Sequence, residues 1–455
     1  MDTLITLMPI LMFLALASLL FSGFPVAFVL GGVALGFGFL GLAADVFSFI
    51  EFFNIISRIW GGVCENLILV AVPMFIFMGT MLERSGVAND LLHCLQVLLR
   101  RVPGGLAMSV TIMGTIMAAT TGIIGASVVM MTLLALPVML ERKYHPSLAT
   151  GTISASGTLG ILIPPSIMLV IMADLLSISV GTLFIAAVFP GLVLASLYII
   201  YLFFRTRLNP TLAPPLPASE GPESHAELIR LVLRSFVPPI FLIFLVLGSI
   251  FAGFATPTEA AGVGALGSII LAVFNRRLSR AVLKDVVGRT GLTCAMIFGI
   301  FIGATAFSYV FRSLGGDDLI HAFVEHMGLG SWGILFLMMG MVFLLGFFFD
   351  WVEITLIVLP LFAPIMETLD FGTHVAAGLV IPWVAVLIAV NLQTSFLTPP
   401  FGFALFYLKG VAPPSVKIQM VYRGIILFVA LQLVGLGFVI GFPEIALWLP
   451  GVILD

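Results

Sequence analysis

The sequence predicts an all-α polytopic membrane protein built as two inverted-topology repeats, each with a re-entrant hairpin and a broken transmembrane helix. Three observations carry this expectation. The 455 residues are 61% hydrophobic and 9% charged, with a mean hydropathy of +1.24, and many stretches reach the roughly 18–20 apolar residues that cross a bilayer. Two Pro-Pro pairs, Pro164-Pro165 and Pro399-Pro400, interrupt two of those stretches, one in each half. Proline has no N–H for the helix ladder and its ring clashes with the preceding turn, and freed carbonyls at membrane depth are tolerated only where they line a cavity or meet a ligand. Finally, the basic residues cluster so that the two halves run through the membrane in opposite directions.

Residues 1–57 contain no Lys or Arg, whereas Asp2, Asp45 and Glu51 are acidic, so the N-terminus and the segment near 44–60 face away from the cytoplasm. MDTLITLMPILMF lacks the basic stretch of a cleavable signal peptide and reads as a first transmembrane helix. Basic residues gather instead at Arg84 with Arg100-Arg101, Arg142-Lys143, Arg205 with Arg207, Arg230 with Arg234, and Arg276 through Arg289. Placing all of these inside gives a first repeat over 1–204, with spans at about 4–21, 24–43 and 63–82. The stretch 104–140 begins and ends beside basic residues, and its centre TTGIIGAS (Thr120 to Ser127) is small and polar. It is therefore expected to dip in from the cytoplasmic side and return. A broken span follows at 147–173, then a span at about 183–204.

The Pro-rich, polar segment 205–234 is the cytoplasmic linker between the halves. In the second repeat, 235–455, spans are expected at about 236–254, 258–274 and 291–311, a periplasmic-side hairpin at 332–366, a broken span at 375–408 and a last span at about 421–442. Five crossings plus a hairpin per half invert the second repeat relative to the first, leaving both termini on the outer side. Ser127 and Asp350 each lie ten residues before a Leu-Pro, and the SGFP turn (Ser22 to Pro25) is echoed by AGFATP (Ala252 to Pro257). Such a repeat holds its substrate near the midplane and works by alternating access. LLHCLQVLLRRV (Leu91 to Val102) is amphipathic and is expected along the inner surface, and DDLIHAFVEH (Asp317 to His326) mirrors it outside.

Ser154, Ser156, Gly157, Thr158, Pro165 and Ser166 surround the first break, and Asn391, Gln393, Thr394, Ser395 and Thr398 surround the second. The hairpins add Gly125, Ala126 and Ser127 on one side and Gly346 and Asp350 on the other. Unwound carbonyls with hydroxyl oxygens form a hard, neutral cage suited to Na⁺. Half-helix N-termini facing the gap present free N–H groups to an anion. Small residues also serve close helix packing, which is the competing role for each of them singly; two clusters, each at a Pro-Pro break, point to a site. Asp350 stands apart because an acid within an apolar hairpin is costly, its competing role being the cap of the second hairpin helix. Glu259 reads as a helix cap, and the six histidines, His145 and His374 among them, sit near loops.

Several function classes fall away. Cys64, Cys94 and Cys294 have no metal or disulfide spacing, no phosphate-binding glycine motif appears, and no nucleophile stands beside a base. No enzyme activity and no nucleic-acid binding are expected.

GTLGILIPPS, FLTPPFGFALFYLKG, GFATPTEAAGVGA and LGFFFD together make the chain resemble, over essentially its whole length, the large membrane (M, DctM-like) subunit of tripartite ATP-independent periplasmic (TRAP) transporters. The resemblance implies a secondary importer of the bacterial inner membrane, driven by Na⁺ and moving as an elevator. It implies two protein partners, a small four-helix membrane Q subunit and a periplasmic substrate-binding P subunit, and a small organic-acid substrate. One Na⁺ site would use Gly125 and Ser127 with Gly157 and Thr158, and the other Gly346 and Asp350 with Thr394 and Thr398. Substrate would meet Ser127, Ser156, Thr158, Pro165, Ser166, Asn391, Gln393, Ser395 and Thr398. The family's first hairpin tip is commonly richer in serine than the IGAS found here, which leaves more of the ligation to carbonyls. A stand-alone divalent-anion/Na⁺ symporter of related architecture is the alternative.

Overall fold

The computed structural model describes residues 2–122, 124–215, 224–399 and 402–453. Among the described residues the chain is helical throughout. Nine helices are long and apolar enough to cross a membrane, or ten if the bent pair Phe49–Cys64 with Ile68–Arg84 is one span.

In the first half, α1 (Asp2–Leu20) and α2 (Val26–Ala43) lead to α3 (Phe49–Ile59). Sequence reasoning gave α3 no helix, but Ser48 and Glu51 form a capping box at its start, two orphan donors being satisfied reciprocally. The span expected at 63–82 is likewise not one rod. A wide turn over Trp60–Cys64 and a tight one over Ile68–Val70 precede α4 (Ala71–Arg84), with a bend of 55°. Asn66 in that bend donates to the Asp174 carboxylate at 2.8 Å, tying it to the end of a distant helix. The amphipathic α5 (Val87–Leu98) begins and ends four residues earlier than expected.

The hairpin expected at 104–140 is α6 (Gly105–Thr121) and α7 (Ile124–Glu141), with Gly122 at φ +58° ending the first arm. That left-handed conformation favours glycine, which has no Cβ to clash. The expected broken span is α8 (Pro146–Thr158), a short tight turn over Leu159–Ile161, an irregular bent stretch holding the cis Pro164-Pro165 bond, and α9 (Ile167–Leu175). Then α10 (Val180–Leu208) crosses back, and its basic end carries Arg205 and Arg207.

The segment expected to be linker contains the short amphipathic α11 (His225–Ser235), capped by Ser224. In the second half come α12 (Val237–Phe251), α13 (Pro257–Phe274) and the long α14 (Arg280–Ser313), which begins eleven residues before the expected span. Arg84 pairs with Asp285 at 2.8 Å, so the ends of α4 and α14 that the charge map placed inside do lie together. The arm α15 (Gly316–Met327) precedes a hairpin of α16 (Ser331–Leu345) and α17 (Trp351–Thr368). The second broken span is α18 (Val380–Leu397) and α19 (Phe403–Val411). Pro400 and Phe401 lie outside the described residues. Helix α18 ends two residues before Pro399, as the steric restriction ahead of proline requires. After α20 (Ile418–Gly441), the short α21 (Glu444–Ile453) was not anticipated; it packs on α10.

The broken helices form the centre of the molecule. Every residue from Leu148 to Ala173 and from Pro382 to Leu397 is buried, whereas α2, α12 and α14 expose large apolar side chains such as Phe28, Phe244 and Leu292. An apolar exterior around a core rich in Ser, Thr, Asn and Gln is the reverse of a water-soluble protein and suits a lipid surround. At the crossing of α8 and α20, a Cβ on Gly151 would lie 2.3 Å from the Gly424 carbonyl oxygen, so the two backbones touch directly. Glycines at such crossings let membrane helices approach closely.

Candidate functional site

Each hairpin seats its tip on the broken helix of its own half. A Cβ on Gly157 of α8 would meet the Val128 side chain of α7 at 2.4 Å, and a Cβ on Gly346 would sit 2.0 Å from the Ser395 Oγ of α18. The halves also interlock. Gly125, at the first hairpin tip, packs on the Tyr407 ring of α19, which a Cβ there would approach to 2.9 Å, and α8 touches α18.

Around the first break the hydroxyls are deeply buried and mostly turned onto their own backbone. Thr158 Oγ1 donates to the Ala155 carbonyl at 2.9 Å, and Ser166 Oγ to that of Ile161 at 2.7 Å, which closes the interrupted stretch on itself. Ser156 Oγ reaches Thr111 Oγ1 on α6 at 3.2 Å. Ser127 is buried on α7. Pro165 lies in the cis pair and is buried as well. The N-terminal turn of α9 has no side-chain cap, so its leading N–H groups point into the buried interruption. Uncapped N–H groups at a helix start carry partial positive charge.

Around the second break Asn391 Nδ2 donates to the Met339 carbonyl on α16 at 2.7 Å, Ser395 Oγ to Leu392 at 2.8 Å, and Thr398 Oγ1 to Thr394 at 2.7 Å. Both amide atoms of Gln393 and the hydroxyl of Thr394 are buried with no hydrogen-bond partner among the described residues; Ser154 Oγ on α8 and Thr355 Oγ1 on α17 share that condition. A buried polar atom left unpaired costs roughly 1–3 kcal/mol, so a group of them beside two interrupted helices calls for a ligand that satisfies them.

Asp350 performs the capping role. Its Oδ1 accepts the Trp351 N–H at 2.7 Å and Glu353 accepts the Asp350 N–H at 3.0 Å, completing a box at the start of α17. One oxygen of a cap remains able to face an ion, and the carboxylate is half-buried at the tip beside Gly346. Among the described residues no group of three or more His, Cys, Asp or Glu side chains converges on a metal position.

Two residues escaped sequence reasoning. Gln432 of α20 is fully buried; its Nε2 reaches Thr158 Oγ1 at 3.5 Å, and its Oε1 has no partner among the described residues. A lone amide inside ILFVALQLVGLG was the available signal. Tyr407 stands in the sequence only as part of the FLTPPFGFALFYLKG motif, and its seat against Gly125 at the first hairpin tip depends on the fold.

Residues 13–445 match the family described as the DctM component of tripartite ATP-independent periplasmic transporters. The chain is 30% identical to the C4-dicarboxylate TRAP transporter large permease protein DctM of Pseudomonas aeruginosa, over 85% of this chain and 87% of that protein. It is 30% identical to the ectoine/5-hydroxyectoine TRAP transporter large permease protein UehC of Ruegeria pomeroyi, over 96% and 97%. It is 27% identical to the sialic acid TRAP transporter large permease protein SiaM of Vibrio cholerae, over 96% and 97%. Among solved structures, the YdaH transporter of Alcanivorax borkumensis shares the fold with a TM-score of 0.62 at 15% identity, covering 88% of this chain and 89% of that one.

Proposed function

Because this chain belongs to the DctM family of TRAP transporter large permeases, and so is a polytopic membrane transport subunit and not an enzyme, we propose that it imports an organic acid by Na⁺ symport. The unpaired Gln393 amide and Thr394 hydroxyl beside the second break carry this reading. Neutral oxygen donors at membrane depth suit a hard monovalent cation, and no Lys or Arg lies on α7, α8, α9, α17 or α18 to hold an anion. An acid bound there depends on amides, hydroxyls, the uncapped start of α9 and a co-bound cation. One Na⁺ is assigned to Gly125, Ser127, Gly157 and Thr158, and another to Gly346, Asp350, Thr394 and Thr398, with the acid between them.

The two halves are an inverted repeat, and the hairpins with their broken helices move as one block past α2, α4, α13 and α14, an elevator motion. The permease works in the bacterial inner membrane, with both termini periplasmic. Its partners are a small membrane subunit and a periplasmic binding protein that delivers the acid. Relatives named for C4-dicarboxylate, sialic acid and ectoine set the panel to try.

The test is uptake into proteoliposomes holding this chain, its small subunit and the binding protein, with labelled succinate, N-acetylneuraminate and ectoine. Accumulation of one compound that needs both an inward Na⁺ gradient and the binding protein is expected. Equal uptake without the gradient overturns the coupling, and full-rate uptake by this chain alone would establish the self-sufficient symporter instead.

A further inference from the structure

Of the nineteen Lys and Arg residues, Arg58 and Arg312 are the two that fall on the outer side in the orientation proposed above, and they line the same cavity. That cavity, about 540 Å³, lies where α3 and α14 face α17 and the end of α9. Along α14, Thr305, Ser308, Tyr309, Arg312 and Ser313 all line it, spaced as one helical face. A polar stripe on a membrane helix marks a water-filled path.

The two arginines are held differently. Pro364 has no N–H to give to the carbonyl of Pro360, four residues earlier, and Arg312 Nη2 fills that place at 2.6 Å. Arg312 also stands 3.7 Å from Asp317. Arg58 makes no ion pair or hydrogen bond with any described residue. Glu367 of α17 is the carboxylate that shares the cavity wall.

We propose that this cavity is an outer vestibule that binds a dicarboxylate or comparable organic anion, with Arg58 as the principal ligand and Arg312 and the α14 hydroxyls completing the site. The proposal rests on the organic-acid reading above and adds an anion site ahead of the midplane one. Guanidinium forks match carboxylates in geometry and charge. They attract the anion where it leaves the binding protein, whereas the midplane helices carry no basic group. Glu367 opposes binding and keeps the site weak enough to release its anion inward.

The test uses the full chain with its small subunit in liposomes, with Cys64 and Cys294 replaced by Ser and Thr305→Cys as reporter. Modification of that cysteine by a membrane-impermeant thiol reagent is followed while succinate is titrated, with succinamide as the neutral control and no binding protein present. Succinate is expected to protect and succinamide not. Arg58→Ala should raise the half-protecting concentration about tenfold, Arg58→Lys less than threefold, and Glu367→Gln should lower it two- to threefold. Absence of protection by succinate, or protection unchanged in Arg58→Ala, overturns the vestibule. So does unchanged protection in Arg58→Ala accompanied by weaker binding of the binding protein to the same liposomes in a separate co-sedimentation measurement, which would make the arginines a docking contact. Uptake by the unmodified transporter, measured in parallel, reports separately on the symport reading.

Discussion

The two hairpin-and-break units do the same structural job with different chemistry. The first has no charged residue at its hairpin tip, which turns through Gly122 in the left-handed region, and its broken helix is buried from Leu148 to Ala173. The second turns through an acid-capped helix start, Asp350 with Glu353, and its break is open at the edge, with Thr398 half-buried and Pro399 exposed. Asn391 is bonded to the hairpin, while Gln393 and Thr394 have no partner among the described residues. The first unit is thus held mainly by packing and leaves Ser154 Oγ unpaired among the described residues, whereas the second carries the paired acids at its tip and leaves Gln393, Thr394 and Thr355 unpaired among them.

The largest effect that separates the units is expected at the backbone crossing of α8 and α20. Gly151→Leu forces atoms into the Gly424 carbonyl, and overpacking of about 3 kcal/mol or more should abolish the folded yield seen by size-exclusion chromatography in detergent. A leucine there with normal yield would show that the first unit is looser than described.

Asp350 comes next. Asp350→Ala removes a cap worth roughly 1 kcal/mol together with the charge, whereas Asp350→Asn keeps a capping oxygen and loses only the charge. Both variants should fold, and the Na⁺ concentration for half-maximal uptake should rise about tenfold in each, near 1.4 kcal/mol. If the Asn variant matches the wild type while the Ala variant fails, the carboxylate is a cap and nothing more.

Smaller still is the comparison of hairpin tips. Gly346→Ala collides with Ser395 Oγ and Gly125→Ala only with the Tyr407 ring face, so initial uptake rates should fall further for Gly346→Ala. Tyr407→Leu should restore the Gly125 variant and not the other. The least change in stability is expected for Gln393→Leu, within about 1 kcal/mol of wild type or slightly more stable, because no described bond is lost and a desolvated amide is removed. Uptake should nevertheless fall. Thermal unfolding alongside transport separates the two readouts, and a large loss of stability would mean that Gln393 has structural partners.

Much of this architecture was legible from residue type alone. The Pro-Pro pairs located both breaks, and the small polar TTGIIGAS located the first hairpin tip. The missed elements share a cause. Helix α3 is too short and too polar on one face to register as a span, although Ser48 and Glu51 signalled its start. The bend at 60–70 contains no proline to announce it; wide and tight turns and the Asn66–Asp174 bond form it. The pairing of Gln432 with Thr158, 274 positions apart in sequence, and the seating of Tyr407 against Gly125 arise from contacts that no local pattern encodes.

The sequence by itself determined that this chain lives in a membrane, where its helices break and which residue types gather at the breaks. Those properties follow from apolar run length and from the missing proline N–H, which act locally. Tertiary structure alone decided which of those polar groups are satisfied. Ser166, Thr158 and Thr398 turn onto their own backbone, Asp350 becomes a cap, and Gln393 and Thr394 remain unpaired among the described residues. Satisfaction of a buried donor depends on what the neighbouring helix offers, and that is fixed only when the hairpins and broken helices pack together.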